Sequence, residues 1–526
     1  MHRIRSRSSL LLIDAGGPVK HIQGKRKHSM KKKRGCIVTV AVFCLLSMFS
    51  CSKEKDTPAP TPPGTTPPVT NVPDFDIDNL NDTYAGIAPF EFRFKWGPYN
   101  THDPSIVKAG EYYYSYSTDA GYGITVPAGI QVRKSKDLID WTFVGFAFNG
   151  LPQKGKEFIT QRGGAPFESL WAPYIMKVGG EYRLYYSLSS PSPRLSVIGL
   201  ATSSSPEGPW VEKDLVVTSL NNSSIQTNAI DPSVVVDEFG DHWFYYGSAW
   251  DGIYVLKLNA ATGLAATPGD KGRRIAQRGF TGNSINGNIE GPEVIYNPEL
   301  DKYFMFISYD WLETKYNVRV GRADSPEGPF YDFNGKNLND PEDNLPMILA
   351  PYQFMGHSGW QGTSHPAVFR ADDGQYFMAH QGRPGQDKYF MVLHIRKIHW
   401  TEGGWPVVSP ERYAGVTQST VAREELAGDW ERIVLRYNVV PGYANEQFSP
   451  DFQVATSLKL NADGTLNNDA GSTWTYNAPW LELKWSDGRT EKVHVERGRD
   501  WEKKKASTLL FTGLDDKGIA VWGKKL

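Results

Sequence analysis

The sequence predicts an all-β protein: a five-bladed β-propeller followed by a small C-terminal all-β barrel or sandwich domain. Three observations carry that prediction. A short unit recurs five times, each copy pairing a polar or aromatic residue and a proline with an apolar run, a turn and an aromatic run. Its prolines stand at 104, 173, 232, 292 and 366, separated by 69, 59, 60 and 74 residues. After residue 413 the pattern stops, and short alternating strands joined by Asp-Gly and Ser-Asp-Gly turns take over. Recurrence at such a period means repetition of one sheet unit, and radial closure hides the sheet edges that a linear array would expose.

The third copy shows the unit best. Asp231-Pro232 opens it, Ser233–Val236 is apolar, 237–241 is polar with a glycine, and Trp243–Tyr246 is aromatic. Polar turn residues between β-branched and aromatic runs read as a hairpin. In the other copies His102-Asp103-Pro104, Trp171-Ala172-Pro173, Glu290-Gly291-Pro292 and Ser364-His365-Pro366 take the opening place. First strands of a propeller start on one rim beside the axis. Asp103, Asp231, Glu290 and His365 are therefore expected in one central pocket in the same phase, although they span 262 residues.

Along the chain, residues 1–51 read as a leader and signal peptide. Met30-Lys-Lys-Lys-Arg34 and the apolar run Cys36–Phe49 have the charged and hydrophobic regions of a secretory signal, so Met30 is the expected true start. That run is shorter than the ~20 apolar residues a spanning helix needs. Its end, Met48-Phe49-Ser50-Cys51, resembles a bacterial lipoprotein box with Cys51 as the lipidated residue. The three cysteines are Cys36, Cys44 and Cys51, so nothing beyond 51 can form an intrachain disulfide. Residues 52–85 form a Pro/Thr-rich linker suited to an extended spacer. Residues 86–413 are assigned to the propeller and 414–526 to the C-terminal β domain.

Cleavage changes the charge. With 11 basic and 1 acidic residue lying before Cys51, the remainder carries 46 Lys+Arg against 57 Asp+Glu, a net −11. An acidic surface excludes nucleic acid as partner and suits a neutral ligand.

Carboxylates on one rim suit glycosidic cleavage. One carboxyl protonates the leaving oxygen and another activates water, with ~6.5–9.5 Å between them in inverting enzymes. A single Asp-Pro pair is more often just a strand start at a turn; three rim carboxylates together point to a site.

The ordered set His102-Asp103-Pro104-Ser105-Ile106, Trp171-Ala172-Pro173, Ile230-Asp231-Pro232-Ser233-Val234 and Glu290-Gly291-Pro292 resembles glycoside hydrolase family 43. The resemblance implies Asp103 as general base, Glu290 as general acid and Asp231 as the residue that modulates and orients the acid, with Glu293 structural. It also implies an axial metal, calcium, beside His365, water supplying most ligands of so hard a cation. Three features resemble the arabinan endo-1,5-α-L-arabinosidase branch: His365, the turn Gly247–Ile253, and the β extension beginning at Gly428. Trp171, Trp250 and Asp251 are the expected substrate-binding residues; packing roles for them stay open. The implied activity is inverting, endo-acting hydrolysis of arabinan by an outer-membrane lipoprotein, at the cell surface or on the periplasmic face. Exo-acting arabinofuranosidase or xylosidase activity, or a non-catalytic glycan-binding propeller, are the alternatives. The Asn-Asp-Pro-Asn and Glu-Cys signatures of family 32 are absent.

Overall fold

The computed structural model describes residues 77–526 apart from 80–81, 83–85, 122–123, 225, 279, 282–283, 286–287, 342, 437–447 and 504. The signal segment, Cys51 and most of the linker lie outside the described residues. No helix among the described residues is long and apolar enough to cross a membrane.

Five antiparallel sheets make a propeller. Blade 1 runs through Ser105–Ala109, Tyr112–Ser117, Gln131–Ser135 and Thr142–Phe146, in that spatial order. Blade 2 holds Trp171–Val178, Glu181–Leu188, Ser196–Ser203 and Val211–Ser219. Blade 3 holds Ser233–Val236, His242–Tyr246, Ile253–Leu258 and Arg273–Ala276. Blade 4 holds Ile289–Asn297, Lys302–Tyr309, Asn317–Ala323 and Met347–Leu349. Blade 5 holds Trp360–Arg370, Tyr376–Pro384, Val392–Trp400 and Pro406–Val408.

The middle strands do not alternate between buried and exposed residues. Ser196–Ser203 and Tyr376–Pro384 are buried throughout, because each blade is covered on both faces by its neighbours. Outer strands meet solvent, and Val211–Ser219 accordingly mixes exposed and buried positions. Side-chain hydroxyls stitch blade to blade. Ser105 Oγ of blade 1 accepts the Ile175 N–H of blade 2, and Ser233 Oγ of blade 3 accepts the Val294 N–H of blade 4. The ring closes where the Asp103 N–H donates to Gln381 Oε1 at 2.8 Å, and where Leu393 N–H donates to Pro98 O.

The C-terminal domain is a closed eight-stranded barrel from Gly428–Val434 round to Ala520–Lys525, and those two strands pair to complete it. Trp430, Leu460, Trp474, Leu483, Phe511 and other apolar side chains fill it. It is not a separate bead. Gln453–Val454 pairs in parallel with Tyr352–Gln353 on the blade 5 sheet. Ile433, Leu514 and Trp522 share one buried cluster with Tyr352, Phe354 and Val408 of the propeller.

Candidate active site

The backbone in front of each proline makes the pocket. Asp103, Asp231 and His365 precede their prolines with φ of 50°, 59° and 57°, a left-handed conformation that ordinary side chains avoid. Such strain persists only where the surroundings enforce it. Here the exposed N–H is captured from the preceding blade: Asp103 by Gln381, Asp231 by Ser187 Oγ at 3.2 Å, and His365 by Ser308 Oγ at 3.0 Å.

Blade 4 departs from the expected common phase. Its left-handed residue is Gly291 (φ 55°), not Glu290, which stands one residue earlier and matches His102 in blade 1 and Trp171 in blade 2. Glycine is needed at 291 because a Cβ there would lie 2.9 Å from His365 Nδ1. Displacing the carboxyl to position 290 leaves room for that imidazole on the axis.

Asp103 is buried and receives three side-chain donors. His102 Nδ1 lies 2.6 Å and Thr118 Oγ1 2.7 Å from its Oδ2, and His365 Nδ1 lies 3.0 Å from its Oδ1. Burial opposes its ionisation, but the charges and hydrogen bonds of His102 and His365 outweigh it and hold the carboxyl well below its usual range. A carboxylate has about four lone-pair positions. Three are used, so one on Oδ1 remains for a water.

Asp231 has the opposite balance. Burial, with the negative charges of Glu290 and Asp103 against the countervailing His365, pushes its carboxyl well above the ordinary range. Its Oδ2 accepts the Gly291 N–H at 3.2 Å. Glu290 is clamped by two hydroxyls: Tyr316 donates to Oε1 at 2.8 Å and Ser248 to Oε2 at 2.7 Å. A lone pair on each oxygen is left over. For His365, burial works against protonation, yet Asp103, then Asp231 and Glu290, raise it to about 9.

Three carboxyls around one imidazole make a negative pocket that suits a cation. With Nδ1 committed to Asp103, Nε2 is the His365 atom that could ligate one, in exchange for its proton. Glu293, further along the same strand, is buried, and burial pushes it up to about 8 despite Val368 and Ser233.

The expected substrate-binding residues are arranged differently. Trp171 is half-buried, stacked on Phe167 at 5.1 Å, with its Nε1 donating to Ser169 Oγ. Trp250 lies two residues beyond Ser248, with the Arg194 guanidinium 5.0 Å over its ring. Asp251 spends both oxygens within the protein, one on Arg274 at 2.6 Å and the other on the Tyr254 hydroxyl at 2.6 Å.

Sequence reasoning did not single out Gln381, Ser308, Ser187, Thr118, Ser248 or Tyr316. A signal existed for three of them. Ser187, Ser308 and Gln381 pair with Trp171, Glu290 and Ser364, so each is the polar residue near the end of a buried second strand.

With fold and site in view, the comparisons agree on a class, that of the glycosyl hydrolases. The chain belongs to Glycosyl hydrolases family 43, which matches residues 97–406, and residues 410–523 match the C-terminal lipocalin-like domain that accompanies it. An extracellular endo-α-(1→5)-L-arabinanase of Thermotoga petrophila is 28% identical over 479 residues, covering 83% of this chain and 95% of that protein. An extracellular exo-α-(1→5)-L-arabinofuranosidase of Cellvibrio japonicus is 29% identical over 322 residues, 59% of this chain and 86% of that protein. The crystal structure of the endo-1,5-α-L-arabinanase from Thermotoga petrophila superposes with a TM-score of 0.69 at 27% identity, covering 82% of this chain and 99% of that one.

Proposed function

We propose that this chain is an inverting, endo-acting hydrolase of α-1,5-linked L-arabinan. The observation that carries the reading is the gathering of Asp103, Asp231 and Glu290 on one axis in three distinct electrostatic settings. Endo action is supported by the Thermotoga petrophila endo-arabinanase, which aligns through both domains over 83% of this chain.

In this mechanism Asp103, kept ionised, takes a proton from a water held on its free Oδ1 position. The water oxygen bonds to the anomeric carbon from one face while the glycosidic C–O bond breaks on the other. Glu290 delivers its proton to the departing oxygen, and Ser248 and Tyr316 hold the carboxylate it becomes. Asp231 faces this pair, and its charge state sets the field at Glu290. Calcium on the axis would be held by His365 Nε2 and water, adding positive charge among the carboxyls. Loss of activity on chelation, restored by Ca²⁺, supports that ion; indifference to thorough chelation removes it. Trp171 and Trp250 are proposed to line the groove, and Asp251 to brace the turn that carries Trp250. Export as a lipoprotein through Cys51, to the outer membrane, is the reading of the N-terminal sequence.

The test is a product profile from linear arabinan, branched arabinan, xylan and an aryl arabinofuranoside. A ladder of arabino-oligosaccharides whose newly formed ends are the inverted anomer by NMR is the expected result. Free arabinose alone makes the enzyme exo-acting, and cleavage confined to xylan replaces the substrate. Inactivity on all four leaves a glycan-binding propeller.

A further inference from the structure

Two loops rise above the rim at the catalytic acids. One joins the second and third strands of blade 4 and ends in Lys315-Tyr316, beside the hydroxyl that holds Glu290. The other follows Tyr376–Pro384 of blade 5, the strand whose Gln381 holds Asp103, and carries Lys388-Tyr389. Lys388 Nζ pairs with Glu313 Oε2 at 2.6 Å, tying one loop to the other. The chain that returns to the barrel passes over the same place. Asp451 forms an ion pair with the buried Lys315, Phe452 packs against Gly359, and Gln453 donates its N–H to Pro351 O at 2.9 Å. This anchoring sets Phe448, three residues before Asp451, on the catalytic face of the propeller.

Phe448 is 76% and Tyr389 53% exposed, and Lys388 Nζ sits 5.4 Å and 5.0 Å from their ring centroids. We propose that Phe448, Lys388 and Tyr389 form an accessory carbohydrate platform that takes arabinofuranosyl units beyond those at the cleaved bond. The proposal rests on the arabinan reading and deepens it. A sugar presents C–H groups to an aromatic face and hydroxyls to a neighbouring donor, and rings beside an ammonium supply both. Anchored loops lower the ordering cost of binding. Lys315 is one residue from Tyr316, and Arg383, whose Nη1 donates to Lys388 O, is two from Gln381. At no more than 3.8 Å per residue, the platform is therefore continuous with the catalytic rim. It also gives the C-terminal region a part in holding substrate, through Phe448.

Phe448→Ala and Tyr389→Ala, made in the full chain, test this on two substrates. Long linear arabinan should show a KM raised about tenfold in Phe448→Ala, the effect of roughly one lost aromatic contact, with kcat unchanged. Arabinotriose, with a single unit beyond the two at the cleaved bond, should be affected far less. Affinity electrophoresis through gels containing linear arabinan gives a second reading that needs no turnover: Glu290→Ala should be retarded, and Glu290→Ala/Phe448→Ala less so. If the unsubstituted chain fails to cleave arabinan, the functional reading falls, while the retardation difference still reports on the platform. Equal losses on polymer and trisaccharide, no loss on either, or equal retardation overturn the proposal. So does a concentration-dependent dimer abolished by Phe448→Ala, which would make this face a contact between copies.

Discussion

Among the described residues, two clusters of three acids and one base do opposite things. On the propeller axis, Asp103, Asp231 and Glu290 surround His365. Where barrel meets propeller, Glu411, Asp500 and Glu502 surround Lys524, whose Nζ lies 2.7, 2.9 and 2.9 Å from one oxygen of each. Lys524 is fully buried and donates one hydrogen bond to each of the three, filling the place where a metal ion would otherwise fit. Burial would raise Glu502, but Lys524 above all holds it below the usual range; Glu411 is pushed up by burial and by Glu502.

On the axis no cation is shared in that way. His365 bonds Asp103, Glu290 is held by neutral hydroxyls, and Asp231 by a backbone N–H. One cluster uses its charges up and becomes a fastener. The other holds each acid on a different partner, with lone pairs left for a water and a substrate oxygen.

Substitutions sharpen that contrast. The largest effect is expected at the axis: Asp103→Ala or Glu290→Ala should cut kcat roughly 10²–10⁴-fold, the usual worth of a general acid or base, in a chain that still folds. Retained turnover in either variant would remove the catalytic assignment. At the interface the pattern reverses. Lys524→Met strands acids that have lost their cation, and about 3–5 kcal/mol of stability should disappear in urea titrations; an unchanged midpoint would mean that the cluster is not a fastener.

A smaller loss of turnover, roughly tenfold, is expected for Tyr316→Phe, since a hydrogen bond to a carboxylate contributes about 1.5–3 kcal/mol when made and only part of that is specific to the transition state. Its KM should stay put, and a matching rise in KM would instead assign the hydroxyl to substrate binding. A different kind of effect is one of pH on stability. Glu293 has its folded pKa raised to about 8 from 4.5, so the folded state holds a proton that the unfolded chain has released. Its contribution is full below about pH 4.5 and is lost as pH rises through 8. Glu293→Gln should therefore flatten the fall in melting temperature across that window. An unchanged slope would place the titration elsewhere.

Much of this was legible in the chain. Five prolines at regular spacing, each followed by an apolar and then an aromatic run, describe blades, because hairpins stacked on both faces must be apolar throughout. Asp103, Asp231 and His365 could be placed on the axis from that repeat alone. Glu290 was recognised but given the wrong phase, since the repeat was aligned on carboxyls and not on the left-handed residue before proline, which in blade 4 is Gly291. Asp251 looked available in the sequence; only Arg274 and Tyr254, 23 and 3 residues away, show both its oxygens occupied.

By itself, the sequence determined the local units, their number and the acids they carry, because strand patterning, proline and turn residues act over a few residues. Tertiary structure decided the charge of each acid and the place of the barrel. Asp103 and Gln381 stand 278 positions apart, and Lys315 and Asp451 136 apart. Burial, field and hydrogen bonding depend on what arrives from such distances, and no pattern within one blade encodes it.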